Sequence, residues 1–229
     1  LGLAPLLAGL LRQGRLPRSQ GEAGEEAQGL AGRHWTRSEA FRHWLLPALV
    51  PMMLTPGFIG TVVYFHQVNI SGVKGWSLAA MAAGYPVYAA LAVAAAFGSG
   101  WLADRVGPAT LLPLSLGPLG VGILAIGAGS HVWAWIFGLG LLGVTSGITG
   151  ALWGTLLPAA FGSRHLGAIR AFVTTLIVVS TAAGPGITGY LIDAGHPFPE
   201  QCLPMGLWCL ALSLAMLAVS RRIGRELEA

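Results

Sequence analysis

The chain has little charge. Only 10% of its 229 residues are Asp, Glu, Lys or Arg, whereas 54% are hydrophobic and the mean hydropathy is +0.68. Soluble domains carry about a quarter charged residues, so this composition excludes an ordinary soluble fold. The shortage of charge instead predicts a protein embedded in a lipid bilayer, where an ionised side chain is costly to bury.

Cysteine and buried acids are also scarce. The two cysteines, Cys202 and Cys209, have neither the spacing of a disulfide framework nor that of a metal site. No Asp or Glu lies deep inside an apolar run, since Asp104 and Asp193 lie at the ends of theirs. The sequence has no phosphate-binding glycine loop and no catalytic motif. We therefore expect no metal, no cofactor, no enzymatic activity and no carboxylate proton relay in these spans.

Six uncharged runs are long enough to cross a bilayer as helices, which takes about 20 residues. They are Trp44–Val68, Trp76–Ala103, Val106–Ser130, Val132–Ser163, Ala171–Ile192 and Gln201–Ser220. The sequence therefore predicts an all-α polytopic membrane protein with six transmembrane helices. The third and sixth runs have few polar residues, which predicts that they face lipid and that the bundle consists of two three-helix repeats.

The basic residues indicate how the spans are oriented. All twelve arginines lie before the first span, after the second, after the fourth or after the sixth, and the other loops contain only Lys74. Cytoplasmic loops are enriched in Lys and Arg, so both ends are expected on the cytoplasmic side of a bacterial inner membrane. This asymmetry accounts for the pI of about 9.6, and no nucleic-acid partner is expected.

Four segments differ in composition. Residues 1–11 are apolar and resemble the end of a preceding transmembrane helix, so we expect the chain to be part of a longer protein. Residues 12–40 have the composition of a flexible cytoplasmic linker, residues 41–220 form the six-helix bundle, and residues 221–229 form a cytoplasmic tail. Thr36 and Glu39 have the spacing of a capping box, which predicts a helix that begins near Arg37.

Polar and aromatic side chains inside the spans are the candidates for solute binding. The candidates are His66, Gln67, Tyr85, Tyr88, Thr145, Thr149 and Arg170. A histidine or an arginine could bind a carboxylate, and His66 could also carry a proton. Each candidate also has a structural interpretation: His66 and Gln67 contact interfacial water, Arg170 extends to the cytoplasmic surface, and the hydroxyls join neighbouring helices.

Two motifs resemble those of a known family. Gly100-Trp-Leu-Ala-Asp-Arg-Val-Gly107 lies in the loop after the second span and is similar to the signature loop of the major facilitator superfamily. Gly184-Pro-Gly-Ile-Thr-Gly189, followed by Tyr190-Leu-Ile-Asp193, is similar to the Gly-Pro pattern in the penultimate helix of that family. The chain thus resembles the carboxy-terminal half of such a transporter, together with the central linker.

The resemblance implies secondary transport by alternating access, with an amino-terminal six-helix half as partner. It implies a gating role for Gly100, Asp104, Arg105, Gly107, Gly184 and Pro185. Asp104 could latch the cytoplasmic side by meeting the start of the fifth span near His165, where a helix N-terminus attracts a carboxylate. The alternative is that Asp104 and Arg105 are solvated loop charges.

We therefore expect a secondary active transporter of a small solute in the lipid bilayer. His66, Arg170 and the lack of buried acids favour an organic anion, such as a monocarboxylate or dicarboxylate, as the substrate. The alternatives are a drug or metabolite efflux transporter, a non-transporting membrane scaffold and an intramembrane enzyme. A cavity lined by polar groups would favour transport, whereas a lumen filled by Leu, Phe and Trp would favour a scaffold.

Overall fold

A computed structural model describes residues 29–228, and within this range the protein contains helices and no strand. The α-helices are α1 (Arg37–Arg42), α2 (Leu45–Phe65), α3 (Gln67–Lys74), α4 (Leu78–Ala82), α5 (Gly84–Val106), α6 (Leu112–Ala128), α7 (Trp133–Phe161), α8 (Leu166–Asp193) and α9 (Phe198–Glu228). Short 3-10 helices cover Leu30–Gly32 and Pro108–Leu111. The helix end expected at residues 1–11 lies outside the described residues.

Six of the described helical segments are long and apolar enough to cross a membrane. They are α2, α4 together with α5, the second 3-10 helix together with α6, and then α7, α8 and α9. The predicted all-α polytopic fold with six spans is confirmed. Ala83, which separates α4 from α5, keeps helical backbone angles, and the Trp135 indole nitrogen donates a 3.0 Å hydrogen bond to the nearby Met81 carbonyl.

The six spans form two groups: four of them pack side by side in a row, and the other two pack as a pair. α5 packs on α7, α7 on α6, and α6 on α9, while α8 packs chiefly on α2. About half of the membrane-spanning part of α6 is buried, whereas few residues of α5 and α8 are. Within this unit α6 contacts both α7 and α9 through leucine, isoleucine and glycine residues, and the expectation that the third span faces lipid stays a prediction. A Cβ at Gly122 would lie 2.9 Å from the Gly138 carbonyl oxygen of α7.

A series of glycines on α7 has two different environments. Gly140, Gly143 and Gly147 lie against α5, and a Cβ added at Gly147 would come within 2.7 Å of the Ala96 backbone nitrogen. Gly150 and Gly154 face open space, with nothing within 4 Å of such a Cβ. Small residues allow close helix contact in lipid, so the first three glycines fix α5 on α7. The last two leave room beside α7.

Residues 29–44 pack onto the end of the bundle where α7 ends and α8 begins. The buried Trp35 donates its backbone N–H to the Phe161 carbonyl at 3.0 Å and its indole N–H to the Leu30 carbonyl at 3.0 Å. The predicted capping box is confirmed, because Thr36 and Glu39 exchange side-chain to backbone hydrogen bonds in both directions. Hydrogen bonds from Thr36 lower the pKa of the Glu39 carboxyl. Residues 29–40, expected within a flexible linker, are thus in contact with the bundle.

Candidate functional site

A cavity of about 300 Å³ opens between α2, α5, α6 and α7, and we call it the tyrosine cavity. It is lined by Pro56, Gly57, Gly60, Thr61, Tyr64, Tyr88, Leu119, Leu142, Thr145, Ser146 and Thr149. Three of the predicted substrate-binding residues, Tyr88, Thr145 and Thr149, therefore meet at one place. None of the lining residues is charged, so the polarity of this cavity comes from hydroxyl groups and tyrosine rings.

Three tyrosines form the aromatic wall of this region. The Tyr64 ring lies 6.2 Å from Tyr85 in a stacked arrangement and 6.2 Å from Tyr88 in an edge-on arrangement, measured between ring centroids. The Tyr88 hydroxyl donates to Ser146 Oγ at 3.2 Å, and the Tyr85 hydroxyl donates to Gln67 Oε1 at 2.7 Å. Tyr85 and Gln67 thus support the wall from outside the tyrosine cavity, because neither is among its lining residues.

The Thr145 hydroxyl is the unusual group of the tyrosine cavity. Thr145 is 2% exposed, and its Oγ1 has no hydrogen-bond partner among residues 29–228. Thr149, one turn later, donates its hydroxyl to the Thr145 carbonyl at 2.8 Å and so is satisfied by its own helix. Because buried polar groups are nearly always hydrogen-bonded, an unpartnered hydroxyl on a cavity wall points to a bound molecule or water.

A second cavity of about 330 Å³ lies between α2, α7 and α8, and we call it the arginine cavity. Its lining residues are Met53, Gly150, Trp153, Gly154, Leu157, Arg170, Val173, Thr174 and Ile177. The two open glycines of α7 form part of its wall, which explains why this section of the glycine series touches no helix. Arg170 brings a positive charge to the cavity.

Arg170 also replaces a backbone hydrogen bond that is missing in α7. Its guanidinium Nη2 donates to the carbonyls of Trp153 and Gly154, at 3.3 and 3.4 Å. Pro158 has no N–H, so it cannot donate to the Gly154 carbonyl four residues earlier. Arg170 Nη2 supplies that missing hydrogen bond and a second one to Trp153, and the N–H groups of Nη1 and Nε remain available in the arginine cavity.

The two cavities follow one another along the same face of α7. Thr145 and Thr149 line the first, and Trp153, one turn further, lines the second. At a rise of 1.5 Å per residue, Thr145 and Trp153 are roughly 12 Å apart along the helix axis. α2 lines both cavities as well, with Pro56 and Gly57 at one and Met53 at the other. The unit thus presents a hydroxyl-rich site and a cationic site in succession.

His66 belongs to a different group, which we call the outer cluster and define as His66, Thr188 and Gln201. His66 Nε2 lies 2.7 Å from Thr188 Oγ1, and the Thr188 hydroxyl donates to the Gly184 carbonyl at 2.8 Å. Since the Thr188 proton is used in this way, the His66 Nε2–H tautomer is the one that fits. Gln201 Nε2 donates to the Thr188 carbonyl at 3.2 Å. His66 lines neither of the two cavities.

Gly184 and Pro185 join α8 to α2 beside the outer cluster. A Cβ at Gly184 would lie 2.8 Å from a methyl group of Val62, so glycine permits the close contact of these helices. The Pro185 carbonyl lies 3.3 Å from the Thr188 hydroxyl. This arrangement accounts for both residues by packing, and their gating role stays a prediction.

The motif that we predicted as a loop is helical over residues 100–106, which form the last turns of α5, and it shows no latch in this conformation. Asp104 is exposed, and among residues 29–228 its carboxylate makes no ion pair or hydrogen bond. Arg105 places its guanidinium carbon 4.3 Å from the Trp101 ring centroid. Gly107 ends α5 with a φ of 85°, and Gly100 has nothing within 4 Å of an added Cβ. The gating role of these four residues stays a prediction.

Three polar or aromatic lining residues of the tyrosine cavity, Thr61, Tyr64 and Ser146, are missing from the sequence-based selection of binding residues. Tyr64 contacts both other tyrosines, and Ser146 accepts the Tyr88 hydroxyl proton. The signal for Tyr64 is its position three residues after Thr61, on the same face of α2. Ser146 has no comparable signal, because its partner lies 58 residues away in the sequence.

Comparison with known proteins gives no relative. No protein-family model matches this chain, and no curated protein matches it. The likeness to the major facilitator superfamily therefore depends on the two motifs and the six-span pattern, and membership of that family is a proposal.

Proposed function

We propose that this six-helix unit is the carboxy-terminal half of a secondary transporter of the major facilitator type, which moves a small solute by alternating access. The unpartnered Thr145 hydroxyl on the wall of the tyrosine cavity carries the proposal. An unsatisfied buried hydroxyl costs about 1–3 kcal/mol, so a solute that hydrogen-bonds to it gains that stabilisation. A lumen filled by Leu, Phe and Trp, expected for a scaffold, does not describe this cavity.

The exposed faces of α5 and α8 are an argument that a second six-helix unit packs against this one. Few residues in the membrane-spanning parts of these two helices are buried, although both carry polar side chains. On α5, Tyr85 is 37% exposed, and on α8 Thr174 and Thr175 are exposed. Polar side chains in membrane helices are usually directed at the bundle interior or a water-filled cavity. In the proposal, the amino-terminal six-helix half covers these faces and completes the solute pathway.

A small organic anion, such as a monocarboxylate or dicarboxylate, is the substrate that we favour. Arg170 offers the only positive charge among the lining residues of the tyrosine and arginine cavities, and guanidinium groups bind carboxylates strongly. The Thr145 hydroxyl offers a further hydrogen bond about 12 Å away along α7. In the proposal, a carboxylate binds Arg170 while the cytoplasmic side is open. It then binds in the hydroxyl-rich tyrosine cavity as it crosses the membrane.

A drug or metabolite efflux transporter is the second candidate, and the aromatic wall favours it. Tyr64 and Tyr88 line the tyrosine cavity without any charged neighbour among the lining residues. Aromatic rings contribute large apolar contact areas together with a polar edge, which suits a neutral aromatic or amphipathic compound. In this alternative Arg170 serves only to satisfy the Gly154 carbonyl.

Uptake into proteoliposomes tests the proposal. The full-length polypeptide is reconstituted, and saturable uptake of labelled carboxylates is measured for wild type, Thr145→Val and Thr155→Val. Thr155 is the matched control, because it lies on α7 and donates its hydroxyl to the Ala151 carbonyl of its own helix at 2.9 Å. Loss of one hydrogen bond worth about 1 kcal/mol predicts a roughly five-fold rise in KM for Thr145→Val and no change for Thr155→Val. Equal kinetics in all three proteins would contradict the assigned site.

Arg170 separates the two candidate functions. Arg170→Gln is expected to abolish carboxylate uptake, while Arg170→Lys retains part of it because the charge remains. If Arg170→Gln leaves uptake of carboxylates unchanged, the anion proposal is wrong. Efflux of an aromatic dye that is lost in Tyr88→Ala, together with an absence of carboxylate uptake, would establish the second candidate.

A further inference from the structure

A third cavity, of about 560 Å³, lies between α2, α8 and α9, and we call it the α2–α9 groove. Its lining residues are Val50, Pro51, Leu54, Thr55, Phe58, Ile59, Ser180, Pro204, Met205 and Trp208. This set shares no residue with the tyrosine cavity or the arginine cavity, so the groove is separate from the proposed solute pathway. It is also the largest of the three.

The polar side chains of this groove are already satisfied. The Thr55 hydroxyl donates to the Pro51 carbonyl at 2.7 Å and accepts the indole N–H of Trp208 at 3.1 Å. The Ser180 hydroxyl donates to the Leu54 carbonyl at 3.5 Å. No hydroxyl or indole on this wall lacks a partner, in contrast to Thr145. The groove therefore suits a hydrocarbon chain, which needs no hydrogen bond.

The distance from the Trp44 end of α2 to the groove matches one leaflet of a bilayer. α2 and α9 run antiparallel, and they meet at Trp208 with Thr55 and again at Arg222, whose guanidinium carbon lies 3.9 Å from the Trp44 ring centroid. Trp44 and Thr55 are 11 residues apart, or roughly 16 Å at 1.5 Å per residue. Half of a hydrocarbon core is about 15 Å thick. An acyl chain that starts at Arg222 would therefore end in the groove.

Positive charge is concentrated at the Trp44 end of this path. Arg42, Arg221, Arg222 and Arg225 lie there, and all four are exposed. One carboxylate balances part of this charge, because Arg222 Nε pairs with Glu226 at 3.1 Å. The remaining excess attracts an anionic headgroup, and a tryptophan beside an arginine is typical of the membrane interface.

We propose that the α2–α9 groove binds one anionic phospholipid of the leaflet on the arginine side. Its phosphate lies at Arg222 and the neighbouring arginines, and one acyl chain follows α2 and α9 to the cavity beside Thr55 and Trp208. The bound lipid fills the space where α2 and α9 touch only at separated points. This inference does not depend on the proposed transport function, because it uses neither Thr145 nor Arg170.

Native mass spectrometry of the full chain in detergent tests the headgroup. The protein is incubated with equal amounts of phosphatidylglycerol and phosphatidylcholine, and the retained lipids are counted. We expect one phosphatidylglycerol per protein in preference to phosphatidylcholine, and at least a five-fold loss of that preference in Arg222→Gln. Arg222→Lys should retain most of it, since the charge is kept.

Arg105→Gln is the matched control for the headgroup site. Arg105 also stacks on a tryptophan, Trp101, but lies on α5, away from the groove. It should leave the lipid preference unchanged. Equal retention of the two lipids by wild type, or equal losses in Arg105→Gln and Arg222→Gln, would overturn the proposal in favour of a general surface-charge effect.

Filling the groove tests the acyl chain. Leu54→Trp, or Val50→Phe if that variant does not fold, is expected to reduce the retained phosphatidylglycerol at least five-fold. Val93→Trp is the control, because Val93 is 58% exposed on α5 and is not a lining residue. Unchanged retention in a folded groove-filling variant would show that the acyl chain does not enter this cavity, and would overturn the proposal.

Discussion

The His66–Thr188 pair of the outer cluster and Thr145 of the tyrosine cavity are buried polar groups in opposite conditions. Gln201 Oε1 in the outer cluster also lacks a hydrogen-bond partner among the described residues, but Gln201 lines none of the three cavities. In the outer cluster, His66 and Thr188 are buried and bonded to each other across 122 residues, and Thr188 is also bonded to its own helix. In the tyrosine cavity, Thr145 is equally buried, but its hydroxyl has no partner and lies on the wall of an open space. Polarity inside a membrane span therefore does not by itself distinguish these two environments, and our proposal of Thr145 as a binding residue rests on its unused hydrogen-bonding capacity beside a cavity.

This difference assigns opposite roles to the two sites. Removing a partner from the outer cluster leaves a buried donor unsatisfied, so the cost falls on the stability of the fold. Removing the Thr145 hydroxyl leaves no protein group unsatisfied, so we expect it to lower the affinity for the solute rather than the stability of the fold. The predictions below test this assignment, from the largest expected effect to the smallest.

The largest effect concerns the contact that holds α5, and with it Tyr88, on α7. Gly147→Leu places a side chain where the α5 backbone lies within 2.7 Å of an added Cβ. We expect this substitution to destabilise the protein by about 3 kcal/mol and to separate Tyr88 from the other walls of the tyrosine cavity. Gly150→Leu is the matched control on the same helix, because Gly150 faces open space. Denaturant titrations in detergent measure both. Equal stabilities would show that the glycine contact does not fix the cavity.

Breaking the outer cluster should cost less. Thr188→Val removes the acceptor of the His66 Nε2–H and is expected to destabilise the protein by about 1–3 kcal/mol. Thr175→Val on the same helix serves as the control, since the exposed Thr175 hydroxyl bonds only to the Ala171 carbonyl of α8. The uptake KM of folded Thr188→Val should equal that of wild type. A raised KM in this variant would move the outer cluster into the solute pathway.

Removing the Thr145 hydroxyl should have an even smaller effect on stability. Thr145→Val keeps the shape of the side chain and removes a buried hydroxyl that has no partner, so the free energy of unfolding should stay within about 1 kcal/mol of wild type or rise slightly. The same denaturant titration measures it. A loss as large as that of Thr188→Val would mean that Thr145 has a structural partner in the membrane.

The smallest effect is a pH dependence that belongs to neither site. Burial, here next to Trp35 and Trp44, lowers the pKa of His43 below its ordinary value of 6.5. The unfolded chain therefore takes up the proton first, and stability should fall as the pH drops below about 6.5 and stay constant above it. Thermal unfolding at pH 5.5 and 7.5 should show a weaker dependence in His43→Gln than in wild type. An unchanged dependence would assign it to another group.

The sequence predicts the six spans and the capping box well, because both depend on local patterns. Apolar runs of sufficient length indicate the helices, and the spacing of Thr36 and Glu39 indicates where α1 begins. The burial of α6 is not predictable in this way. Its glycines allow close contact with a neighbouring helix, and the sequence does not show which helix that is. Polarity alone therefore does not reveal which helices α6 contacts.

The site could be predicted only in part for the same reason. Tyr88, Thr145 and Thr149 are polar or aromatic residues in spans, and the structure brings them together. His66 has the same sequence signal, but Thr188 is a partner that only the pairing of α2 with α8 supplies. The second role of Arg170 depends on Pro158 in a neighbouring helix, which no local pattern connects to it.

Solvent access to the two sites is the most direct measurement of this difference. In a Cys202→Ser and Cys209→Ser background, Thr145→Cys and Thr188→Cys are labelled in vesicles with a water-soluble thiol reagent, with and without transported solute. Reaction at position 145 that the solute slows, together with no reaction at position 188, is the result that we predict. Labelling at position 188 with protection by solute, and none at position 145, would contradict the assignment of the tyrosine cavity as the binding site.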